Sequence, residues 1–385
     1  LEKSIKKGLG VSTNSPIKVV HVISSLKRGG AEKWLVDMVG LLHNHGVVQK
    51  VIYFHAGPHE NDIKALGIEL ILIRGLLFRY DPVFFMRLIA VIIRERPYII
   101  HSSLWAANFI ARIIGKIVRI PVVTTHHSAI DYDSALRTLF DTSTHVMAAH
   151  QVYVSHHVKS VIHTKLQLKE SSTDSIIQNG IDIDSFEKKL NEFSVSRDQI
   201  GIPSQAFVVG AVGRFVEVKN FSFLLNVAAQ LVRLDPLVYC ILIGVGPLES
   251  ELRSQARALG IESNVRFFIG EPAYNYYRVM DCFVQPSIQE GLSIALLEAM
   301  YAKLPCIVSA QNGGHEVIQD QIQGVICKNF ALETYVDAVI DYKFNRSKAR
   351  AMGQRGHECV INRHSGVYMV EQYFKIYTQL LYKKS

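Results

Sequence analysis

Short β-branched runs and longer amphipathic runs alternate along this chain from Lys18 almost to its last residues. Lys18 to Ser24 reads KVVHVIS, which predicts a strand. A glycine turn at Gly29 and Gly30 follows, and Leu35, Met38, Val39 and Leu42 then recur at helical spacing. Further strand and helix candidates fall at Lys50–Phe54, Leu70–Ile73, Pro82–Arg94, Ile99–Ser102, Ala106–Ile117, Pro121–Thr125 and Gln151–Ser155. After Asn179-Gly180-Ile181-Asp182 a polar stretch, Glu187 to Ser204, reads as a linker, and the pattern restarts. New strands are predicted at Phe207–Val212, Leu237–Ile243, Val265–Ile269, Cys282–Gln285 and Pro305–Ser309.

Buried strands alternating with helices imply parallel sheets covered on both faces. The expected class is α/β, with two doubly wound, Rossmann-like domains facing each other across a cleft. The expected divisions are a tail at 1–16, a first domain at 17–190, a linker at 191–204, a second domain at 205–362 and a closing helix at 363–385 that crosses back to the first domain. In such sheets ligands bind beyond the carboxyl ends of the strands, so the loops there are where chemistry is sought.

Composition narrows the class. Of 385 residues, 49% are hydrophobic and 20% charged, which is globular and not disordered. The net charge of +8 is uneven, since residues 1–190 hold 23 Lys and Arg against 16 Asp and Glu. A basic half attracts an anionic surface or ligand. Basic residues do not run together with aromatics, so nucleic acid is not an expected partner. The five cysteines, Cys240, Cys282, Cys306, Cys327 and Cys359, form no C-x-x-C pair and read as reduced thiols. Lys3, Lys6 and Lys7 have no apolar run behind them, so the start does not read as a signal peptide, and a cytoplasmic location is expected. The segment Arg74 to Arg96 mixes Arg79, Arg87, Arg94 and Arg96 with large apolar residues. It reads either as a helix on an anionic membrane face or as one buried against its own sheet.

Four segments carry candidate chemistry. In Glu290-Gly-Leu-Ser-Ile-Ala-Leu-Leu-Glu298 the N–H groups of Gly291, Leu292 and Ser293 open a helix and are suited to a diphosphate. Glu290 would accept hydrogen bonds from sugar hydroxyls and Glu298 from a ribose; the alternative is plain acidic capping. In Gly213-Arg-Phe-Val-Glu-Val-Lys-Asn220, Arg214 and Lys219 offer a fork and a point charge to a departing diphosphate. Gly29-Gly30 lacks the full dinucleotide spacing and serves as a plain turn or a phosphate contact. Thr124-Thr-His-His-Ser128 places histidines at a strand end, where one could meet a sugar hydroxyl. The pairs Asp131/Asp133 and Asp182/Asp184 resemble metal-holding acidic pairs but lie in polar loops, and no metal is expected.

Together these segments resemble the retaining glycosyltransferases of the GT-B fold, a large family that builds bacterial envelope glycans. The motifs agree in order: GGAE at Gly29, NGID at Asn179, GR-x5-N at Gly213, IG-x-GP at Ile243, PS-x2-EGL at Pro286, LEAM at Leu297 and GG-x-EVI at Gly313. The resemblance implies transfer of a hexose or N-acetylhexosamine from a nucleotide-sugar, expected to be a UDP-sugar, without a metal or other cofactor. The acceptor would be a saccharide, free or lipid-linked, at the inner membrane face. Arg214 and Lys219 would hold the diphosphate, Glu290 the transferred sugar and Glu298 the ribose. The backbone of Gly291, Leu292, Ser293 and of Gly29 or Gly30 would close around them. His126 matches the histidine that approaches the donor sugar, with His127 as the competing assignment. Leu292-Ser293 stands where the family often has Phe-Gly. A nucleotide-sugar epimerase of the same fold and a non-catalytic assembly subunit are the alternatives; the intact set Arg214, Lys219, Glu290 and Glu298 weighs against the second.

Overall fold

The computed structural model describes residues 16–75, 82–128, 134–311 and 313–382. In chain order the main elements are β1 (Lys18–Ser25), α1 (Gly30–His43), β2 (Val48–His55), α2 (His59–Ala65), β3 (Glu69–Leu72), α3 (Pro82–Glu95), β4 (Ile99–Ser103), α4 (Trp105–Val118), β5 (Val122–His126), α5 (Ala135–Thr144), β6 (His150–Tyr153), α6 (His156–Leu166) and β7 (Asp174–Ile176). They continue with α7 (Ile183–Glu192), β8 (Phe207–Val212), α8 (Phe221–Leu234), β9 (Val238–Gly244), α9 (Glu249–Ala258), β10 (Val265–Ile269), β11 (Cys282–Gln285), α10 (Ile294–Tyr301), β12 (Cys306–Ser309), β13 (Gly324–Cys327), α11 (Leu332–Phe344), α12 (Arg346–Arg363) and α13 (Gly366–Tyr382). The described residues divide into two compact units, one from segments 1–154, 158–177 and 366–385, the other from 155–157 and 178–365.

The first unit is a parallel sheet in the order β3-β2-β1-β4-β5-β6-β7. Alternation along each strand sorts its side chains between two cores. Val19 and Ile23 face α1 and α13, while Val20 and Val22 face α3 and α4. The closing helix α13 is part of this core: Met369, Tyr373 and Tyr377 are buried against Trp34 and β1. Under α13 lies a polar seam, in which the Tyr377 hydroxyl meets His101 Nδ1 at 2.6 Å, His101 Nε2 meets Thr125 Oγ1 at 2.8 Å, and Thr125 Oγ1 meets the Tyr373 hydroxyl at 3.1 Å.

The second unit repeats the plan, with a parallel sheet in the order β10-β9-β8-β11-β12-β13. Phe207, Val209 and Ala211 of β8 pack with Leu224, Leu225 and Ala228 of α8 and with Tyr335 and Val339 of α11. In each sheet the strand order reverses beside its first strand, between β1 and β4 and between β8 and β11, which is where open parallel sheets bind ligands. All five cysteines are free, and burial pushes Cys240 up to about 12 and raises Cys282 well above the usual thiol value.

Two readings of the sequence shift. The polar stretch expected as a linker from Glu187 begins inside a helix, Ile183–Glu192, because Phe186 and Leu190 bury one face and Asp182 caps the start by accepting the Ser185 N–H at 3.1 Å. The β5 strand runs on to His126, one residue past its expected end, which decides where that side chain goes.

Buried histidines make the first unit acid-sensitive. Burial lowers His21 and His126 to about 4 and His145 to about 3, and drives His101 well below the ordinary value of 6.5. A group that protonates less readily folded than unfolded gives stability that is lost as pH falls from the unfolded value toward the folded one. The melting temperature should therefore fall steeply between pH 6.5 and 4. In the second unit burial lowers His364 to about 4 and also lowers His157. Hydrogen exchange at pH 5 should thus open β1, β4 and β5 before β8 and β11; simultaneous opening would show that these histidines do not govern the acid limb.

Candidate active site

The second unit gathers most of the expected residues at the carboxyl ends of β8 and β11. Lys219, closing the turn after β8, forms an ion pair with Glu290, which follows β11. Glu290 Oε2 also accepts from Gln285 Nε2 at 2.9 Å and from the Ser287 hydroxyl at 3.2 Å. Three donors thus fix one carboxylate. The two turns are joined through their backbones, Ile288 N–H donating to Val218 O at 2.9 Å. The Lys219 stem lies over Gly213, where an added Cβ would stand 3.4 Å from its Cδ and Cε. Arg214 is exposed beside it.

Helix α10 begins next to this cluster. Ser293 caps it, its hydroxyl accepting the Leu296 N–H at 3.4 Å. Gly291 and Leu292 are buried, and the N–H groups of Gly291, Leu292 and Ser293 have no acceptor among the described residues. Donors left open at a helix start are the groups with which helices hold anions. The segment is held from behind: Asn179 Nδ2 donates to Leu292 O at 2.7 Å, and Gly313 N–H to Glu290 O at 3.1 Å. Only glycine fits at 313, since a Cβ there would fall 1.5 Å from Gly291 O. One turn into the helix, Glu298 accepts from the buried Tyr277 hydroxyl at 2.8 Å. Burial, then the Glu298 charge, holds that phenol protonated, its pKa well above the usual tyrosine value.

In the first unit Gly29 caps α1 in extended conformation, and Glu32 folds back over it to accept from the Ser25 hydroxyl at 2.7 Å. Gly30 has open space where a side chain would be. The histidines at the end of β5 point apart. His126 lies on the same strand face as Thr124 and is 3% exposed; its Nε2 meets Gln151 Oε1 at 2.9 Å and its ring stacks on Tyr153. That setting packs the His126 ring into the interior. His127, beyond the strand, turns to the other side and is half-buried, edge-on to Trp34 with ring centroids 4.6 Å apart. Its Nε2 is buried without a partner, and burial, then the nearby His126, lowers it to about 3, so the ring is neutral at ordinary pH.

Sequence reading missed Gln285, Ser287 and Tyr277. Gln285 ends a predicted strand and Ser287 stands in the Pro286 motif, so the strand-end rule would have found both; Tyr277 gave no signal within the tyrosine-rich stretch Tyr274–Tyr277. Among the described residues no three His, Cys, Asp or Glu gather to hold a metal. Asp182 is the α7 cap, and Asp131 and Asp133 lie outside the described residues.

Comparison with known proteins agrees with this layout. Residues 28–185 match the model for Glycosyltransferase Family 4, and residues 192–358 that for Glycosyl transferases group 1. The chain is 28% identical over 321 residues to the putative glycosyltransferase EpsF of Bacillus subtilis (strain 168), covering 77% of this chain and 80% of EpsF. It is 23% identical over 344 residues to the Escherichia coli UDP-Gal:alpha-D-GlcNAc-diphosphoundecaprenol alpha-1,3-galactosyltransferase, covering 86% and 88%. The crystal structure of Anabaena HepE in complex with UDP-glucose superposes with a TM-score of 0.82 at 18% identity, covering 94% of this chain and 100% of that one. With both units matched and the same fold in sugar-nucleotide complexes, the chain belongs to the GT-B-fold glycosyltransferases of the group 1 and family 4 type, which transfer a sugar from a nucleotide-sugar donor.

Proposed function

We propose that this protein is a retaining, metal-independent transferase that moves a hexose or N-acetylhexosamine from a UDP-sugar to a saccharide acceptor carried on a lipid or an envelope glycan. The observation that carries the reading is the Lys219–Glu290 pair set beside the open N–H groups of α10. The second unit holds the donor: Lys219, Arg214 and the α10 amides bind the diphosphate, and Glu298 the ribose. Glu290 is fixed by three donors on one oxygen and orients the transferred sugar. The bond from the anomeric carbon to the diphosphate oxygen breaks, and the acceptor oxygen bonds to that carbon on the same face. The charge that develops on the leaving phosphate is the one these donors stabilise. The acceptor proton leaves with the diphosphate.

The first unit takes the acceptor. His127 replaces His126 as the histidine that meets a substrate hydroxyl, because its neutral ring has an unpartnered nitrogen and His126 has none to spare in its packed setting. A cytoplasmic location at the inner membrane face is consistent with α3, which buries Phe84, Leu88 and Ile92 and leaves Val83, Met86 and Ile93 exposed beside Arg87 and Arg94. No helix among the described residues is long and apolar enough to cross a membrane.

The test is to incubate the protein with UDP-, GDP- and ADP-sugars in excess EDTA, and to follow nucleotide release and the anomeric configuration of the product by NMR. Release from one UDP-sugar, unaffected by EDTA and giving the donor's own anomeric configuration, is expected. Dependence on a divalent ion, or an inverted product, would overturn the corresponding part of the reading.

A further inference from the structure

Tyr277 sits in the turn between β10 and β11 of the second unit and is fully buried. Its ring lies edge-on to Phe186 of α7, with centroids 5.8 Å apart, and tilted against Phe283 of β11 at 6.4 Å. The backbone of the same turn is gripped by Arg197, whose Nε and Nη2 donate to Val279 O at 3.1 and 2.9 Å. The phenol is thus held through its ring and through its main chain.

Among the described residues the hydroxyl has two acceptors in reach, Glu298 Oε2 at 2.8 Å and Ala295 O at 3.3 Å. It has one proton to donate, and the nearer, charged acceptor takes it. Tyr342, another buried tyrosine of this unit, satisfies its hydroxyl on a backbone carbonyl, Cys306 O at 3.1 Å. At Tyr277 a carbonyl is also within reach, yet the hydroxyl stands closer to the carboxylate. Phenylalanine would fill the same space, so what the hydroxyl adds is a hold on Glu298. A glutamate side chain turns about several bonds, and fixing it in one rotamer costs entropy that a ligand would otherwise have to offset. Glu298 lies on α10 beyond the Ser293 cap. At about 1.5 Å of rise per residue it stands roughly 7–8 Å along the axis from the open amides. That is the reach from a diphosphate to the ribose joined to it.

We infer that Tyr277 is a positioning residue: its hydroxyl holds the Glu298 carboxylate in the rotamer that accepts from the ribose hydroxyls, and so makes the donor site select ribonucleotides over nucleotides that lack those hydroxyls. The inference deepens the proposed function and rests on the reading of Glu298 as the ribose contact. Being fully buried, Tyr277 acts through Glu298 and not on the ligand.

The test titrates UDP and 2′,3′-dideoxy-UDP into the full chain by calorimetry, using wild type, Tyr277→Phe, Glu298→Gln and the double variant. Wild type should prefer UDP by about tenfold or more, the worth of hydrogen bonds to a charged group. Tyr277→Phe should cut that preference by about threefold or more, while 2′,3′-dideoxy-UDP binds as it does to wild type. A tyrosine that only supported the fold would weaken both nucleotides alike and leave their ratio where it was. Glu298→Gln should lower the ratio too, and adding Tyr277→Phe to it should change nothing further, because the two side chains act as one unit. Melting temperatures within a few degrees of wild type check that the variants fold. A preference kept in Tyr277→Phe but lost in Glu298→Gln would overturn this inference alone. A preference kept in Glu298→Gln, or absent from wild type, would overturn the ribose reading of Glu298 and this inference with it. If UDP fails to bind wild type, the uridine reading falls, and the same titrations with GDP or ADP and their dideoxy analogues decide the role of Tyr277.

Discussion

Replacing Lys219 with alanine should weaken UDP binding about ten- to a hundredfold, the worth of one charge-assisted hydrogen bond of ~1.5–3 kcal/mol. The change acts twice. It removes the cation proposed to meet the diphosphate, and it leaves Glu290 with only the neutral donors Gln285 and Ser287, so an uncompensated carboxylate would face the incoming anion. Glu290→Gln should therefore restore part of the affinity when added to Lys219→Ala, although the same change in wild type should lower turnover, because it alters the group proposed to orient the sugar. Calorimetric titration of UDP into the four proteins gives the cycle. An unchanged dissociation constant for Lys219→Ala would remove the lysine from the donor site.

The second large effect is on stability. Arg112 and Asp141, both fully buried, pair at 2.6 Å between α4 and α5, and Arg112 Nη1 also donates to Thr144 Oγ1 at 3.3 Å. Removing one partner strands a buried charge, which costs about 3–5 kcal/mol. Asp141→Ala should lower the melting temperature of the first unit by roughly 10 °C. Arg112→Met combined with Asp141→Leu should recover most of that, since an apolar pair of similar volume replaces a buried ion pair at little cost. A melting shift under about 2 °C for Asp141→Ala would mean that the guanidinium is satisfied by another partner.

The α/β class and the two-sheet plan were legible because buried parallel strands such as KVVHVIS and FVVGAV are short apolar runs that helices separate. That Lys219 and Glu290 would meet at one edge of the second sheet was legible for a different reason, that both lie in turns that follow predicted strands. The histidine was legible only as a choice between His126 and His127. Choosing between His126 and His127 turns on whether β5 ends at residue 125 or 126, and one residue reverses the face a strand side chain occupies. The last turns of α7 were hidden by composition: from Glu187 on the chain reads as a polar linker, although the buried pair Phe186 and Leu190 stands at i and i+4.

The place of α13 sets the order of events during synthesis. The strands of the first unit are complete by Ile176, yet Met369, Tyr373 and Tyr377 fill one side of its core. At about 5–20 residues per second, the ribosome delivers Gly366 roughly 10–40 s after Ile177. Through that interval Trp34 and the His101 seam lack their cover, and the second unit is made meanwhile. The half that is translated first is thus the half that finishes folding last, and a nascent chain arrested before Gly366 would present that apolar face to chaperones.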